Sequence, residues 1–166
     1  MAVERMIPAR GEDIFRFLSR LEHHWQLAPG WIEVLSLERP PGAGEDAPFD
    51  RGVVRMRGPL GISRTARTQV STVEPPGAMS GTARVGSGTV ARVRWTLVDE
   101  GPATRVRLGA ELERAGPVDR TLLALGGWTW LEGRFRAALD HLAAVVESGF
   151  EDRTAGPPAE SMEVTG

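Results

Sequence analysis

Few types of side chain in this sequence are able to transfer protons or act as nucleophiles. It contains no cysteine and no tyrosine, and all 20 of its Lys or Arg residues are arginine. A thiolate, a Schiff-base lysine and a tyrosine general acid are therefore excluded. What remains is the carboxylates, the hydroxyls and three histidines: His23, His24 and His141.

The spacing of the histidines decides whether they form a metal site. His23 and His24 are adjacent, so on a helix their side chains point about 100° apart. A metal-binding pair on one helix needs a spacing of four residues, as in H-E-x-x-H, and no two histidines have it. A set of His141, one of the first two histidines and either Glu22 or Asp140 stays open. The spacing favours solvent-exposed histidines, and no metal is predicted.

A glycine-rich turn matches a nucleotide-binding fingerprint. Residues 86–91 read GSGTVA and fit G-x-G-x-x-A. In dinucleotide sites this turn opens a helix whose N–H groups face the pyrophosphate. Here it opens VARVRW, in which apolar and polar residues alternate with period two, as in a strand. The sequence therefore predicts a hairpin turn and no cofactor.

The longest predicted element is a helix over residues 118–147. Apolar residues recur there at spacings of three and four, which places them on one stripe: Leu125, Trp128, Leu131, Phe135, Leu139, Leu142 and Val146. Gly126, Gly127 and Gly133 fall in or beside the helix, and each interior glycine costs about 1 kcal/mol relative to alanine. We therefore expect a bend near these glycines, with space for a ligand beside it.

The rest of the chain predicts a strand, two short helices and a run of strands. The strands are at residues 3–7, 32–38, 52–57, 62–74, 79–85, 89–98 and 104–113, and the helices near 12–21 and 22–30. Short turns rich in glycine and proline are typical of antiparallel neighbours. In the last hairpin, pairing Trp95 with Val106 places the apolar residues on one face.

Arginines are concentrated in the predicted strands. Between residues 53 and 113 there are nine arginines and five acidic residues. The register above sets Arg94 opposite Arg107, and like charges opposite each other are destabilising. These two arginines are candidate contacts for an anion, such as an acidic carrier protein or an RNA backbone. A solvated face with carboxylates from neighbouring strands is the favoured alternative.

Length and composition indicate an ordinary globular protein. The 166 residues, 41% hydrophobic and 25% charged, predict one domain at 1–150 and a disordered tail at 151–166. A net charge of -2 gives no reason to expect a nucleic-acid partner. No apolar run approaches about 18 residues and no signal pattern is present, so we predict no membrane insertion and a cytoplasmic location.

Three stretches resemble one superfamily: VERMIPARGEDIFRFLSRLEHHWQLAPGW, VRWTLVDEGPATRVRLGAELE and EGRFRAALDHLAAVVE. They are similar to the opening segment, penultimate hairpin and closing helix of the START / polyketide cyclase-dehydrase (SRPBCC) superfamily, over about residues 2–148. The resemblance implies an α+β helix-grip fold, in which a curved antiparallel sheet of about seven strands wraps around the long C-terminal helix, with two short helices after strand 1. Members range from lipid carriers to cyclases without a common catalytic motif, so the function stays open.

Three functional hypotheses follow. The first is binding or carrying a small hydrophobic or amphipathic ligand, lipid-like or polyketide-like, between the sheet and the C-terminal helix. The second is a polyketide cyclase, aromatase or dehydratase acting in the same cavity by positioning, with an arginine and a histidine or carboxylate. The third is a protein-interaction module that uses the arginine-rich face. The lack of lysine, tyrosine and cysteine favours a non-enzymatic protein, expected as a monomer or homodimer. The predicted cavity-lining residues are Trp25, Trp31, Met56, Trp95, Leu108, Trp128, Leu131, Phe135 and Leu139.

Overall fold

A curved antiparallel sheet of seven strands is the frame of the molecule. The computed structural model describes residues 1–58 and 61–154, with side chains through residue 149. The strands are β1 (Ala2–Ile7), β2 (Ile32–Glu38), β3 (Arg51–Arg57), β4 (Ser63–Glu74), β5 (Ala78–Val85), β6 (Thr89–Glu100) and β7 (Ala103–Arg114). Their order is β1-β7-β6-β5-β4-β3-β2. Consecutive strands from β2 to β7 are therefore neighbours, and β1 completes the sheet beside β7. The predicted sheet is confirmed.

Four helices pack on or beside this sheet. The short helices α1 (Gly11–Leu18) and α2 (Leu21–Gln26) lie between β1 and β2 in the chain. After β7 come α3 (Pro117–Leu122), one π-helical turn (Leu123–Gly127) and the long helix α4 (Trp128–Thr154), which contacts β1 and β7. The predicted helix-grip architecture is confirmed. Residues 151–154 continue α4, and the rest of the predicted tail, 155–166, lies outside the described residues.

The register of the hairpin between β6 and β7 differs from the prediction by two residues. Trp95 pairs with Leu108, and Val106 pairs with Leu97. The apolar face is the predicted one, because a shift of two residues keeps side chains on the same side. The difference arises at the turn, where Gly101 has a φ of 75° and the closing pair is Glu100 with Ala103. The alternation of apolar and polar residues is the same in both registers, so it does not locate the two-residue turn.

The bend predicted near the glycines lies immediately before α4. Leu125 (φ −87°, ψ 22°) and Gly126 (φ 102°) leave the helical conformation there. Gly126 supplies a positive φ that other residues adopt only with strain. The bend turns Leu125 away from the core, and its side chain is 77% exposed. Its assignment to the buried stripe was therefore wrong.

The second half of α4 supplies the densest part of the core. Leu139 and Leu142 are buried in one cluster with Ile7 of β1, Leu18 of α1 and Val106 of β7. Alternation in the strands and three- and four-residue spacing in α4 direct these apolar side chains to the same interior. This cluster anchors the C-terminal half of α4 and leaves its N-terminal half over a different part of the sheet.

A polar contact fixes the start of α1, and with it the position of α2. The Gly11 N–H donates to Asp99 Oδ1 at 2.9 Å, and the buried Thr104 hydroxyl donates to the same oxygen at 2.9 Å. A Cβ on Gly11 would lie 2.6 Å from that oxygen, so glycine permits the close approach. A carboxylate at a helix N-terminus also satisfies otherwise unpaired N–H groups.

Candidate ligand-binding site

A cavity of about 320 Å³ lies between the concave face of the sheet and the helices α2 and α4. Residues from β2 to β7 border it on the sheet side, and residues from α2, α3, the π-helical turn and the first half of α4 border it elsewhere. Its volume falls at the lower end of the range of about 300–1,000 Å³ for small-molecule sites.

Small residues on the inner face of the sheet leave this space open. The cavity is bordered on β4, β5, β6 and β7 by Ala66, Gly81, Ala83, Ala91 and Ala110. Side chains this short do not reach the helix that crosses the sheet about 10 Å away, the usual layer separation. The strands beneath the second half of α4 instead carry Ile7 and Val106, which are fully buried.

All five tryptophans of the chain border the cavity: Trp25, Trp31, Trp95, Trp128 and Trp130. Trp31 and Trp130 meet edge to face, with ring centroids 5.6 Å apart. The Arg134 guanidinium lies 5.3 Å from the Trp130 ring centroid, a cation–π distance. Trp128 and Trp130 are two residues apart on α4, so their side chains leave the helix in different directions. Both nevertheless border the cavity, because the first turn of α4 runs along its opening, where Trp128 is 38% exposed.

His24 is a polar side chain in this apolar wall. Its ring lies edge-on to Trp95, with centroids 5.8 Å apart, and its Nε2 is 2.5 Å from the Leu18 carbonyl oxygen. Burial lowers the pKa of His24 below its usual value, and the hydrogen bond to Leu18 acts in the opposite direction. The imidazole is therefore neutral at pH 7.

The expectation of solvent-exposed histidines was wrong for His23 and His24. Both are half-buried, and His23 Nδ1 bonds the Phe17 carbonyl oxygen at 2.9 Å while its ring stacks on Phe17. The carbonyl groups at the end of α1 lack partners within their own helix, and the histidines of α2 supply donors. His141 is exposed as expected and bonds the Ala137 carbonyl oxygen. In the described parts of the chain, no three His, Asp or Glu side chains are placed to hold a metal ion.

A second polar group borders the cavity beside α3. Arg64 Nη2 and Asp119 Oδ2 are 2.9 Å apart, and the Thr89 hydroxyl donates to the same carboxylate oxygen. Thr89 Oγ1 in turn accepts from the Gly116 N–H at 2.9 Å. These contacts fasten the segment before α4 to the sheet. The sequence analysis counted Arg64 with the solvated arginines. Arg64 and Ala66 are two residues apart on β4, so their side chains lie on the same face of the sheet, and this alternation would have placed Arg64 on the inner face.

Eight of the nine residues predicted to line a cavity do border it, from Trp25 to Phe135 along the chain. Leu139 does not, because it is 1% exposed within the core beneath the second half of α4. Arg94 and Arg107 are exposed on the outer face and pair with Gly109 and Thr96, so they are not opposite each other. Contact of these residues with a ligand or anion stays a prediction.

The sequence matches a known family over almost its entire described length. The profile of the family described as "Polyketide cyclase / dehydrase and lipid transport" matches residues 1–147. The chain belongs to this family. The match spans β1 through most of α4, so it includes every element that borders the cavity. No curated protein matches the sequence.

Solved structures of similar fold come from several bacteria. The protein TTHA0849 from Thermus thermophilus has a TM-score of 0.66 at 21% identity, covering 90% of this chain and 97% of its own. A START superfamily protein from Mycobacterium smegmatis has a TM-score of 0.61 at 19% identity, covering 89% and 97%. A protein from Arthrobacter aurescens has a TM-score of 0.62 at 14% identity, covering 99% and 92%. At these identities the likeness establishes the fold.

No helix in residues 1–58 and 61–154 combines the length and the apolar character needed to cross a membrane.

Proposed function

We propose that the protein binds a small hydrophobic or amphipathic molecule in the cavity beneath the first half of α4. One observation carries this proposal: the cavity is bordered by all five tryptophans, and on its sheet side by alanine and glycine among larger apolar residues. A space of this size lined by apolar groups, left empty, forfeits contact energy with its own walls. An apolar ligand restores those contacts and removes its own surface from water.

A pair of variants on α4 tests the proposal. Ala138 borders the cavity, and Ala143 lies further along the helix, 2% exposed in the dense core. In Ala138→Phe the new ring enters the cavity, so we expect the protein to stay folded and to lose binding of the neutral fluorescent probe N-phenyl-1-naphthylamine. In Ala143→Phe the ring has no space, and overpacking typically costs about 1–3 kcal/mol.

Comparing the two variants distinguishes a blocked cavity from a general loss of stability. Probe binding by the wild type and by Ala143→Phe, with loss in Ala138→Phe, supports the proposal. A wild type that does not bind the probe, or an Ala138→Phe variant that binds it as well as the wild type, contradicts it.

An enzyme of the cyclase or dehydratase type is the second candidate. The observation that favours it is His24, a neutral imidazole in the cavity wall and thus able to accept a proton. Mass spectrometry of a ligand recovered after incubation distinguishes the candidates. An unchanged mass with an unchanged chromatographic retention time indicates a carrier, an unchanged mass with a changed retention time indicates a cyclase, and a mass reduced by one water indicates a dehydratase. The interaction module with Arg94 and Arg107 as anion contacts stays a third hypothesis.

A further inference from the structure

His24 occupies a defined place in the cavity wall. It lies on α2 and faces the aromatic floor, where its ring is 5.8 Å from the Trp95 centroid and 6.5 Å from the Trp25 centroid. Aromatic rings on two sides restrict the orientation of the imidazole. A polar group held in this way inside an apolar cavity selects among ligands by its hydrogen-bonding character.

One nitrogen of this ring is committed to the protein. The partner of Nε2 is the carbonyl oxygen of Leu18, which only accepts, so Nε2 carries the hydrogen. Leu18 is the last residue of α1, and its carbonyl has no partner in that helix. The hydrogen bond therefore fixes the tautomer. Because burial keeps the ring neutral by lowering the pKa of His24, the other nitrogen, Nδ1, is a hydrogen-bond acceptor.

No side chain or backbone group in the described residues bonds Nδ1 of His24. Two other polar atoms of α2, Glu22 Oε2 and Trp25 Nε1, are buried without a partner among those residues, whereas Nδ1 is not sealed in this way. His24 itself borders the cavity, so its ring lies beside any molecule held there.

We propose that His24 Nδ1 accepts a hydrogen bond from a hydroxyl of the ligand, so that the protein selects neutral apolar molecules carrying a hydroxyl over those without one. This inference rests on the proposed function and adds the ligand class. A carboxylate is disfavoured at this position, because its oxygens and Nδ1 are all acceptors.

The polar group formed by Arg64, Asp119 and Thr89 lies too far away to contact the same ligand atom. Thr89 and Trp95 are six residues apart on β6, about 20 Å at the rise of a strand. The charges of Arg64 and Asp119 also neutralise each other. The hydroxyl preference is therefore assigned to the α2 end of the cavity.

The experiment compares two naphthalenes that differ in one donor. 2-Naphthol carries a hydroxyl, and 2-methoxynaphthalene has the same ring system without the donor hydrogen. Both are measured by displacement of N-phenyl-1-naphthylamine. We expect the wild type to bind 2-naphthol about tenfold more tightly, as one net hydrogen bond implies. In His24→Phe the two dissociation constants should become equal.

His23→Phe is the matched control. His23 is the neighbouring histidine, it does not border the cavity, and it stacks on Phe17. This variant should keep the tenfold preference. Equal binding of the two naphthalenes by the wild type, or a preference that survives in His24→Phe, overturns the inference and leaves the proposed function standing. A wild type that binds N-phenyl-1-naphthylamine but neither naphthalene overturns the inference alone, and a wild type that does not bind the probe overturns both.

A measurement on the wild type covers the case in which His24→Phe does not fold. With ¹⁵N-labelled histidine, the Nδ1 resonance of His24 should shift when 2-naphthol is added and stay in place when 2-methoxynaphthalene is added. An Nδ1 resonance that responds equally to both compounds contradicts the inference.

Discussion

The two halves of α4 carry the same apolar pattern and meet different surroundings. In the first half, Leu131 and Phe135 border a cavity. In the second half, Leu139 and Leu142 are at most 1% exposed in a continuous core. The comparison teaches that a helix stripe specifies which side faces inward, while the residues on the opposing strands decide whether that inside is solid.

The opposing strands explain the difference in physical terms. Alanine and glycine on β4, β5 and β6 border the cavity with the first half of α4, whereas Ile7, Leu97 and Val106 on β1, β6 and β7 belong to the core with its second half and do not border the cavity. The bend at Gly126 adds to the difference, since it sets the first turn of α4 at the opening of the cavity. Substitutions in either half therefore test whether the two regions differ in packing.

The largest expected effect is in the solid half. Leu142→Ala removes a side chain with no exposed surface and leaves a void that the neighbouring helix and strands cannot fill. We expect a loss of about 3 to 5 kcal/mol in the free energy of unfolding, measured by urea denaturation. Binding of N-phenyl-1-naphthylamine by the folded protein should be unchanged. A loss below about 1 kcal/mol would show that this half is not densely packed.

Phe135→Ala should cost less, although it removes a larger side chain. The ring already borders empty space, so the change loses its transfer free energy and little of the added cavity energy. We expect about 2 kcal/mol in the same denaturation experiment, with an altered affinity for the probe. A cost equal to that of Leu142→Ala, with unchanged probe binding, would place Phe135 in solid core.

His24 adds a pH dependence at the cavity end. Its pKa is lowered by burial in the folded state, whereas the unfolded chain takes up the proton near the ordinary value of 6.5. The unfolded state therefore binds more protons as the pH falls below about 6.5, and the folded state loses stability until its own lower pKa is passed. His24→Phe should abolish this component. The measurement is the difference in unfolding free energy between wild type and variant, followed from pH 7.5 to 5.5. The other titrating groups are common to both proteins and cancel in this difference. A difference that does not change with pH would contradict the assigned role of His24.

The smallest effect concerns a glycine on the exposed side of the first half. A Cβ on Gly133 would meet nothing within 4 Å, so Gly133→Ala should raise stability by about 0.5 to 1 kcal/mol through helix propensity alone. Probe binding should stay the same. Gly127 is the contrasting position, because a Cβ there would lie 2.7 Å from the Leu122 carbonyl oxygen. Gly127→Ala should destabilise, and a gain in both variants would show that the bend does not depend on close backbone approach.

Most of the fold was predictable, because it follows from periodicity. Alternation in the strands and the stripe from Leu131 to Val146 fixed which faces are buried, and both agree with the structure. The register of the last hairpin was wrong by two residues, since Trp95 keeps the same face in either register. The exposure of Leu125 was missed for a related reason. A helical pattern continues through a bend in the sequence even where the backbone does not.

The site was predictable in part. Large apolar residues such as Trp31 and Phe135 were proposed as lining from their type and face, and they border the cavity. The burial of His24 was not foreseen, because it depends on α2 folding back on the free carbonyl groups of α1. Arg64 was overlooked as a member of the wall, although its strand parity contained the necessary signal. Contacts between distant elements, such as Arg64 with Asp119, leave no local pattern.

The most direct test of the account is an NMR titration that observes both halves of the interior in one experiment. The five tryptophans give five indole N–H resonances, and all five side chains border the cavity. The methyl groups of Leu142 report on the solid core. On addition of N-phenyl-1-naphthylamine, we predict shifts of the indole resonances with unchanged Leu142 methyl resonances. Indole resonances that do not respond, or Leu142 methyl groups that shift as strongly as the indoles, would contradict the claim that the space beneath the first half of α4 is a ligand-binding cavity.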